Sequence, residues 1–320
     1  MKKKIRIAVL AGGWSGEREV SLKSGRTVYN ALDRDKYLVS MYDPRDEMGI
    51  LFEKRDEIDL VFNILHGKIG EDGNMQGFLN VLGIPFVGSG VLSSSLCMNK
   101  KISKERYRSA GLQVASHCIM NRGKDFSLRE ITDRIGLPLI IKPVSEGSSI
   151  GISICRNEIE VREGIEKAFS WDREIMLEEY IKGREITCCV LGNSELDSLP
   201  LIEIVPDSSY AFFDYEAKYK PGASKETCPA DIPETLAAEA SRIAKTAHRV
   251  LHCAVWSRSD IIIRNDKLYL LETNTIPGMT ETSLFPLAAK AAGLSMGELL
   301  DKFVSFSMEN AEEELFGTGI

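Results

Sequence analysis

Two rhythms of apolar positions run through the N-terminal third of the chain. Short apolar runs (IRIAVLA, YLVSMYD, LVFNIL and IPFVG) read as strands, and Ser21–Leu32 and a segment near Met75–Leu82 between them carry helical spacing. This alternation predicts a small parallel sheet with helices on both faces. It breaks near Gly88–Asn99, a small, polar, glycine-bearing stretch that predicts a domain boundary. A basic helix is expected over Lys100–Ser109, closed by Gly111, and another near Ser127–Ile135. PLIIKPVSEGSSIGISIC then reads as two β-rich runs around a polar loop, Ser145–Ser149. IMLEEYIKGREITCCVLG reads as strand, short connection and strand, and LPLIEIVP as one more. The longest irregular stretch, Asp207 to Pro233, suits a lid. An amphipathic helix over Pro233–His252 follows, with Leu236, Ala240, Ile243, Ala247, Val250 and Leu251 on one stripe. The tail from Leu287 is helical and ends acidic.

The most informative pattern lies in RSDIIIRNDKLYLLETNTIPGMTETSLFP. RSDIII and KLYLLETN are β-rich runs around a cluster of turn formers, and so predict a hairpin. With Asn265 to Lys267 as its loop, Asp260 faces Glu272 directly, and Asn274 points to the same side. Two carboxylates and an amide, without Cys or His, suit a hard cation such as Mg²⁺ that carries phosphates. The alternative is a pair of solvated acids on an exposed face. The Pro-Gly turn of Asn274–Thr280 favours the metal, because its free N–H groups add an anion site beside it.

Composition narrows the function classes. An apolar content of 43%, a charged content of 27% and a net charge of −7 describe a globular chain and argue against general nucleic-acid binding. The basic start before IRIAVLA imitates a signal peptide, but the apolar run is short, holds Arg6 and ends in Gly12-Gly13. No segment approaches the ~20 apolar residues of a membrane helix, so a cytoplasmic protein without membrane contact is expected. Seven cysteines without CxxC spacing fit reduced thiols, and Cys188-Cys189 fit packing. His248 and His252 stand four apart but lack the further ligands a zinc site needs.

Two polar clusters fall at the carboxyl ends of the early strands, where parallel sheets bind ligands: Gly12–Glu19 and His66–Gly73. A dinucleotide site with Asp43 as the ribose acid is disfavoured. The glycines do not form GxGxxG, and two acids crowd the helix start. Glu17 suits an ammonium group instead. Lys142 beside Ser145–Ser149 suits phosphate oxygens, although that loop by itself is better read as an ordinary hairpin turn.

Taken together, GGWSGEREVSLKSG, LHGKIGEDGNMQG, KPVSEGSSIG, DYEAKY, RSD and LLETNTIPGMTETSL resemble the D-alanine–D-alanine ligases of the ATP-grasp superfamily, in order and over nearly the whole chain. The resemblance implies an α/β fold with three parts. These are a small parallel-sheet domain at 1–96 and two α+β ATP-binding parts at 97–184 and 185–320, the last with a lid at 207–229. It implies ligation of two D-alanines through an acyl phosphate for cell-wall precursor synthesis, with ATP, two Mg²⁺ (or Mn²⁺) and a homodimer. Another ATP-grasp ligase with a different acid or amine, or a paralogue that binds nucleotide without ligating, is the alternative.

Residue by residue, the resemblance places Lys100 and Lys142 on the α- and β-phosphates, under a loop holding Ser148 and Ser149. Glu178 would meet the adenine amino group, the backbone of Tyr180 and Ile181 would complete that site, and Glu185 would hold the ribose. Asp260, Glu272 and Asn274 would bind the metals. Glu17 and His66 would take the first D-alanine, Ser283 and Leu284 the carboxylate of the second. Arg258 and the Gly278 N–H would face the oxyanion. Lys218 would touch the transferred phosphate, and Tyr219 would link to Ser148 and Glu17. Two positions depart from the family pattern: Val255 replaces a glycine and Ser259 a β-branched residue, which predicts altered packing with the chemistry intact.

Overall fold

The computed structural model describes residues 3–206 and 224–317. In the N-terminal part, β1 (Ile5–Leu10) runs parallel to β2 (Tyr37–Tyr42) on one side and to β3 (Leu60–Asn63) on the other. The crossovers carry α1 (Arg18–Ala31), α2 (Pro44–Glu53) and, after β3, α3 (Asn74–Leu82). IPFVG, expected as a strand, contributes only a single bridge, Val61 to Phe86. Pro85 lacks the N–H that a longer ladder needs.

The stretch Gly88–Asn99, where a boundary is expected, holds a helix, α4 (Val91–Met98). Its serines are buried, with Ser93 and Ser94 at 2% and 0% exposure, so their smallness permits close packing. α5 (Lys100–Ser109) begins at once, with the Asn99 side chain accepting from the Ile102 N–H as its cap. The central sheet has the order β4-β7-β5-β6, from β4 (His117–Asn121), β5 (Leu139–Pro143), β6 (Ser153–Cys155) and β7 (Glu174–Glu179), all antiparallel. α6 (Leu128–Ile135) and α7 (Glu158–Phe169) cover it.

The C-terminal sheet has the order β11-β10-β8-β12-β13, and β9 (Leu196–Ser198) pairs with β8. Its strands are β8 (Arg184–Gly192), β10 (Ile202–Pro206), β11 (Ser224–Thr227), β12 (Val255–Arg264) and β13 (Lys267–Asn274). α8 (Glu234–Val250) buries its Ala240, Ile243 and Ala247 stripe on this sheet. α9 (Leu284–Ala291) and α10 (Met296–Gly317) return to the N-terminal sheet. There Ile7, Val9 and Phe62 share one core with Trp256, Phe285 and Phe303, and the Trp256 and Phe303 rings stand 4.6 Å apart. The central sheet keeps a core of its own around Leu139, Ile141, Val161 and Leu177.

Val255 has φ +66 and no exposure. Such a backbone is costly for a β-branched residue, and the expected glycine would adopt it without that cost. Ser259 is also buried, and its hydroxyl meets Thr273 at 2.9 Å, while Thr273 accepts from Tyr107 of α5 at 2.8 Å. The departure at Ser259 therefore forms part of a hydroxyl chain tying the back of the hairpin to α5. His248 is a packing residue bonded to Ser257 at 2.7 Å, with burial pushing its pKa down to about 4. All seven cysteines are unpaired, and no helix among the described residues is long and apolar enough to cross a membrane.

Candidate active site

Two adjoining cavities, of about 290 and about 400 Å³, lie between the three sheets and meet at Lys100, Glu146, Gly147, Ser148 and Glu272. Every residue expected at the site lines one or the other, apart from Lys218 and Tyr219, which lie outside the described residues together with most of the expected lid.

The hairpin supplies the acidic wall. Its turn is two residues long, with Asn265 and Asp266 at φ +51 and +59, and not the expected three. Arg264 therefore pairs with Lys267, which alone would put Glu272 out of step with Asp260. A bulge between Asp260 and Ile261 restores the step, so that Asp260 faces Glu272 and Arg258 faces Asn274. The expected pairing is thus observed, but by a different route. Asp260 is 6% exposed and is held by both Nε and Nη2 of Arg258 at 2.9 Å and by the Thr187 hydroxyl at 2.6 Å. Burial works against the Arg258 charge, but Asp260 outweighs it and raises the guanidinium pKa.

The donor set suits a divalent cation. The Asp260 Oδ2 has one close donor, Arg258, and only a long 3.4 Å contact to the Asn274 amide nitrogen, so a lone pair stays open. An amide flip brings the Asn274 oxygen to that same place. Among the described residues no three His, Cys, Asp or Glu side chains gather as a metal group, and this set is two acids and an amide.

The central sheet supplies the basic wall. Lys142 on β5 lies 2.6 Å from Glu178 Oε2 on β7, and Lys104, from one turn beyond Lys100 on α5, lies 2.5 Å from Oε1. Burial opposes the Glu178 charge, but the two lysines outweigh it and hold the pKa down at about 2. Glu178, expected on an adenine amino group, lines the larger cavity, and its Oε1 has the ion-pair contact with Lys104 but no hydrogen bond among the described residues. Lys104 itself was not legible in the sequence. A lysine in a basic helix reads as solvated, and only the packing of α5 on β7 buries it. Tyr180, Ile181 and Glu185 line the same cavity further along.

The loop Ser145–Ser149 closes the gap between the walls. Lys100 Nζ donates to the Glu146 carbonyl, Lys68 pairs with the Glu146 carboxylate, and the Ser148 hydroxyl donates to Glu17. Ser148 and Ser149 hold φ of +48 and +60, so the loop is drawn into a left-handed turn to make these contacts. Glu17 is 5% exposed, near His66. Burial opposes the charge on His66, but Glu71, with an oxygen at 3.6 Å, and Glu17 outweigh it and raise its pKa. At the far end Ser283 precedes α9 without capping it by its side chain, since its oxygen accepts from the Thr280 N–H at 3.0 Å. The first-turn amides from Leu284 onward therefore remain a ready carboxylate site. Gly278 is adjacent. A Cβ there would come 3.0 Å from Ser283 Oγ, so glycine leaves room for its own N–H to be approached. Asp43, the ribose acid of the rejected dinucleotide reading, accepts from the Gly13 N–H at 2.9 Å and pairs with Arg18 at 2.5 Å. It holds the glycine loop in place.

Comparison with known proteins follows this geometry. A family model described as "D-ala D-ala ligase C-terminus" matches residues 107–305, and its N-terminus counterpart matches 6–49 and 44–89. The chain is 50% identical over 307 residues to the D-alanine–D-alanine ligase of Syntrophobacter fumaroxidans, covering 96% of this chain and 99% of the relative. It is similar to the crystal structure of the Bacillus anthracis D-alanine–D-alanine ligase complexed with ATP, at TM-score 0.86 and 35% identity, covering 97% and 99% of the two chains. It is also similar to the VanG D-Ala:D-Ser ligase of Enterococcus faecalis, at TM-score 0.83 and 33% identity, covering 95% and 100%.

Proposed function

The chain belongs to the D-alanine–D-alanine ligase family, and from that premise we propose how its cleft works as an ATP-dependent ligase that joins two D-alanines. The observation that carries the reading is the meeting of a lysine wall, an acid hairpin and the Glu17–Ser148 contact at one pair of cavities.

A carboxylate is a poor electrophile at neutral pH, so the first D-alanine is activated by taking the γ-phosphoryl group. That transfer needs positioning and charge neutralisation more than covalent help. Lys100 and Lys142 face the phosphates, and Glu17 holds the ammonium of the first D-alanine in line with them. Asp260, Glu272 and Asn274 would hold Mg²⁺, which supplies charge neutralisation on the phosphate oxygens when bound. The second D-alanine docks its carboxylate at Ser283 and the α9 amides, and its neutral amine attacks the acyl phosphate. Arg258 and the Gly278 N–H receive the resulting oxyanion, where one donor is worth roughly 3–4 kcal/mol. Phosphate then leaves, taking up the proton that the attacking nitrogen gives up, and the peptide bond remains.

Lys218 and Tyr219 keep the parts the sequence resemblance gives them, on the transferred phosphate and on Ser148. Two metal ions, a homodimer, a cytoplasmic setting and a place in cell-wall precursor synthesis rest on that resemblance as well. The likeness to a D-Ala:D-Ser ligase keeps a different second substrate as the rival. The deciding measurement is phosphate release from ATP with D- and L-alanine, D-serine and D-lactate, with the products separated. D-alanine alone should support release and give the dipeptide. Faster release with D-alanine plus D-serine, giving the mixed dipeptide as main product, would favour the rival.

A further inference from the structure

Nothing in the reaction above uses Lys104, yet it is 0% exposed and within ion-pair distance of a group that also holds Lys142. Burying an ammonium group costs several kcal/mol before its partner is counted, so an apolar side chain would fill the place more cheaply. Its Nζ has no acceptor in hydrogen-bond geometry, so the link to Glu178 is one of charge. The group of Lys104, Glu178 and Lys142 carries a net positive charge of one, and Lys142 is its member on the phosphate side of the cavity. Without Lys104 the remaining pair is neutral. The whole Glu178 carboxylate then draws Lys142 back from the cleft.

We propose that Lys104 is a positioning residue for the nucleotide: by sharing Glu178, it leaves Lys142 charged and forward for the diphosphate. The inference rests on reading the larger cavity as the nucleotide site. Burial pulls the Lys104 pKa down to about 8, with Glu178 opposing it, which agrees with an ammonium group held by its counter-charge.

The test is calorimetric titration of ADP and of adenosine, with Mg²⁺ present, into wild type, K104M and K104M/E178Q. K104M should weaken ADP about ten-fold or more and leave adenosine within about two-fold, because one charged contact to the diphosphate is lost. The double variant again leaves one net positive charge, on Lys142, and should bring ADP back to within about three-fold of wild type. Equal losses for ADP and adenosine in K104M, or a double variant no better than K104M, would overturn the proposal. Should K104M not fold, the double variant decides: ADP near wild type supports the proposal, and a ten-fold loss confined to ADP sinks it. Wild type that binds neither ligand would refute the nucleotide reading itself, which is a separate outcome.

Discussion

The C-terminal wall of the cleft gathers acids around one arginine, and the central wall gathers lysines around one glutamate. In each, a single counter-charge holds groups that would otherwise repel one another. The difference is in how far apart in sequence the members lie. Arg258 and Asp260 are two residues apart on one strand, and Glu272 and Asn274 come from the next. Lys104, Lys142 and Glu178 come from a helix and two strands. The acidic wall is a local construction that a hairpin can make alone. The basic wall exists only once α5 has docked.

The largest expected effect lies on the acidic wall. Glu272→Gln should fold normally and keep less than about a tenth of the wild-type turnover at saturating Mg²⁺, since such charge is worth several kcal/mol. Greater retention would show that the Glu272 charge is not needed for the reaction and would count against the metal assignment. The link between the walls comes next. Ser148→Ala removes a hydrogen bond to a charged group, worth about 1.5–3 kcal/mol. It should raise the KM of the first D-alanine at least several-fold while ATP affinity stays put, and an unchanged KM would detach the loop from Glu17.

The third prediction concerns the basic wall and pH. The Lys104 pKa in the folded chain, about 8, lies below its ordinary 10.5, so in that window the unfolded chain binds more protons. This group therefore adds stability as pH rises through the window. The melting temperature of wild type relative to K104M should climb between pH 8 and pH 10.5, and a flat difference would count against a buried ammonium group. The smallest effect returns to the acids. Thr187→Val deletes the 2.6 Å bond to Asp260 and should cost about 1 kcal/mol of stability, with a modest rise in the Mg²⁺ needed for half-maximal rate. No change in either would leave Arg258 as the only support Asp260 needs.

How much of this was legible follows the same division. Two β-rich runs around a cluster of turn formers located the hairpin, and the convergence of Asp260, Glu272 and Asn274 came from counting residues. The count succeeded because a bulge compensates for a turn one residue shorter than expected. α5 was legible over Lys100–Ser109, yet the burial of Lys104 was not, because a charge pattern on one helix says nothing of what packs against it. At α4 the small residues hid a helix, because serines buried between helices carry the same letters as a loop. Of the basic wall, Lys100 and Lys142 were named and Lys104 was not, and the pairing of Glu178 with two lysines went unseen, since sequence order cannot say which neighbours a carboxylate will meet.

The shared core of the first and last segments also bears on how the protein is made. A ribosome delivers β1 to β3 before the other strands, but the face of that sheet is covered by Phe285 and Phe303, which emerge after every strand of the three sheets. During translation the first sheet must wait with Ile7, Val9 and Phe62 uncovered, while the central sheet, with its own core, can finish alone. The nascent chain is thus aggregation-prone between the delivery of β3 and that of α9 and α10, and release of those two helices from the exit tunnel is the event that ends the exposure.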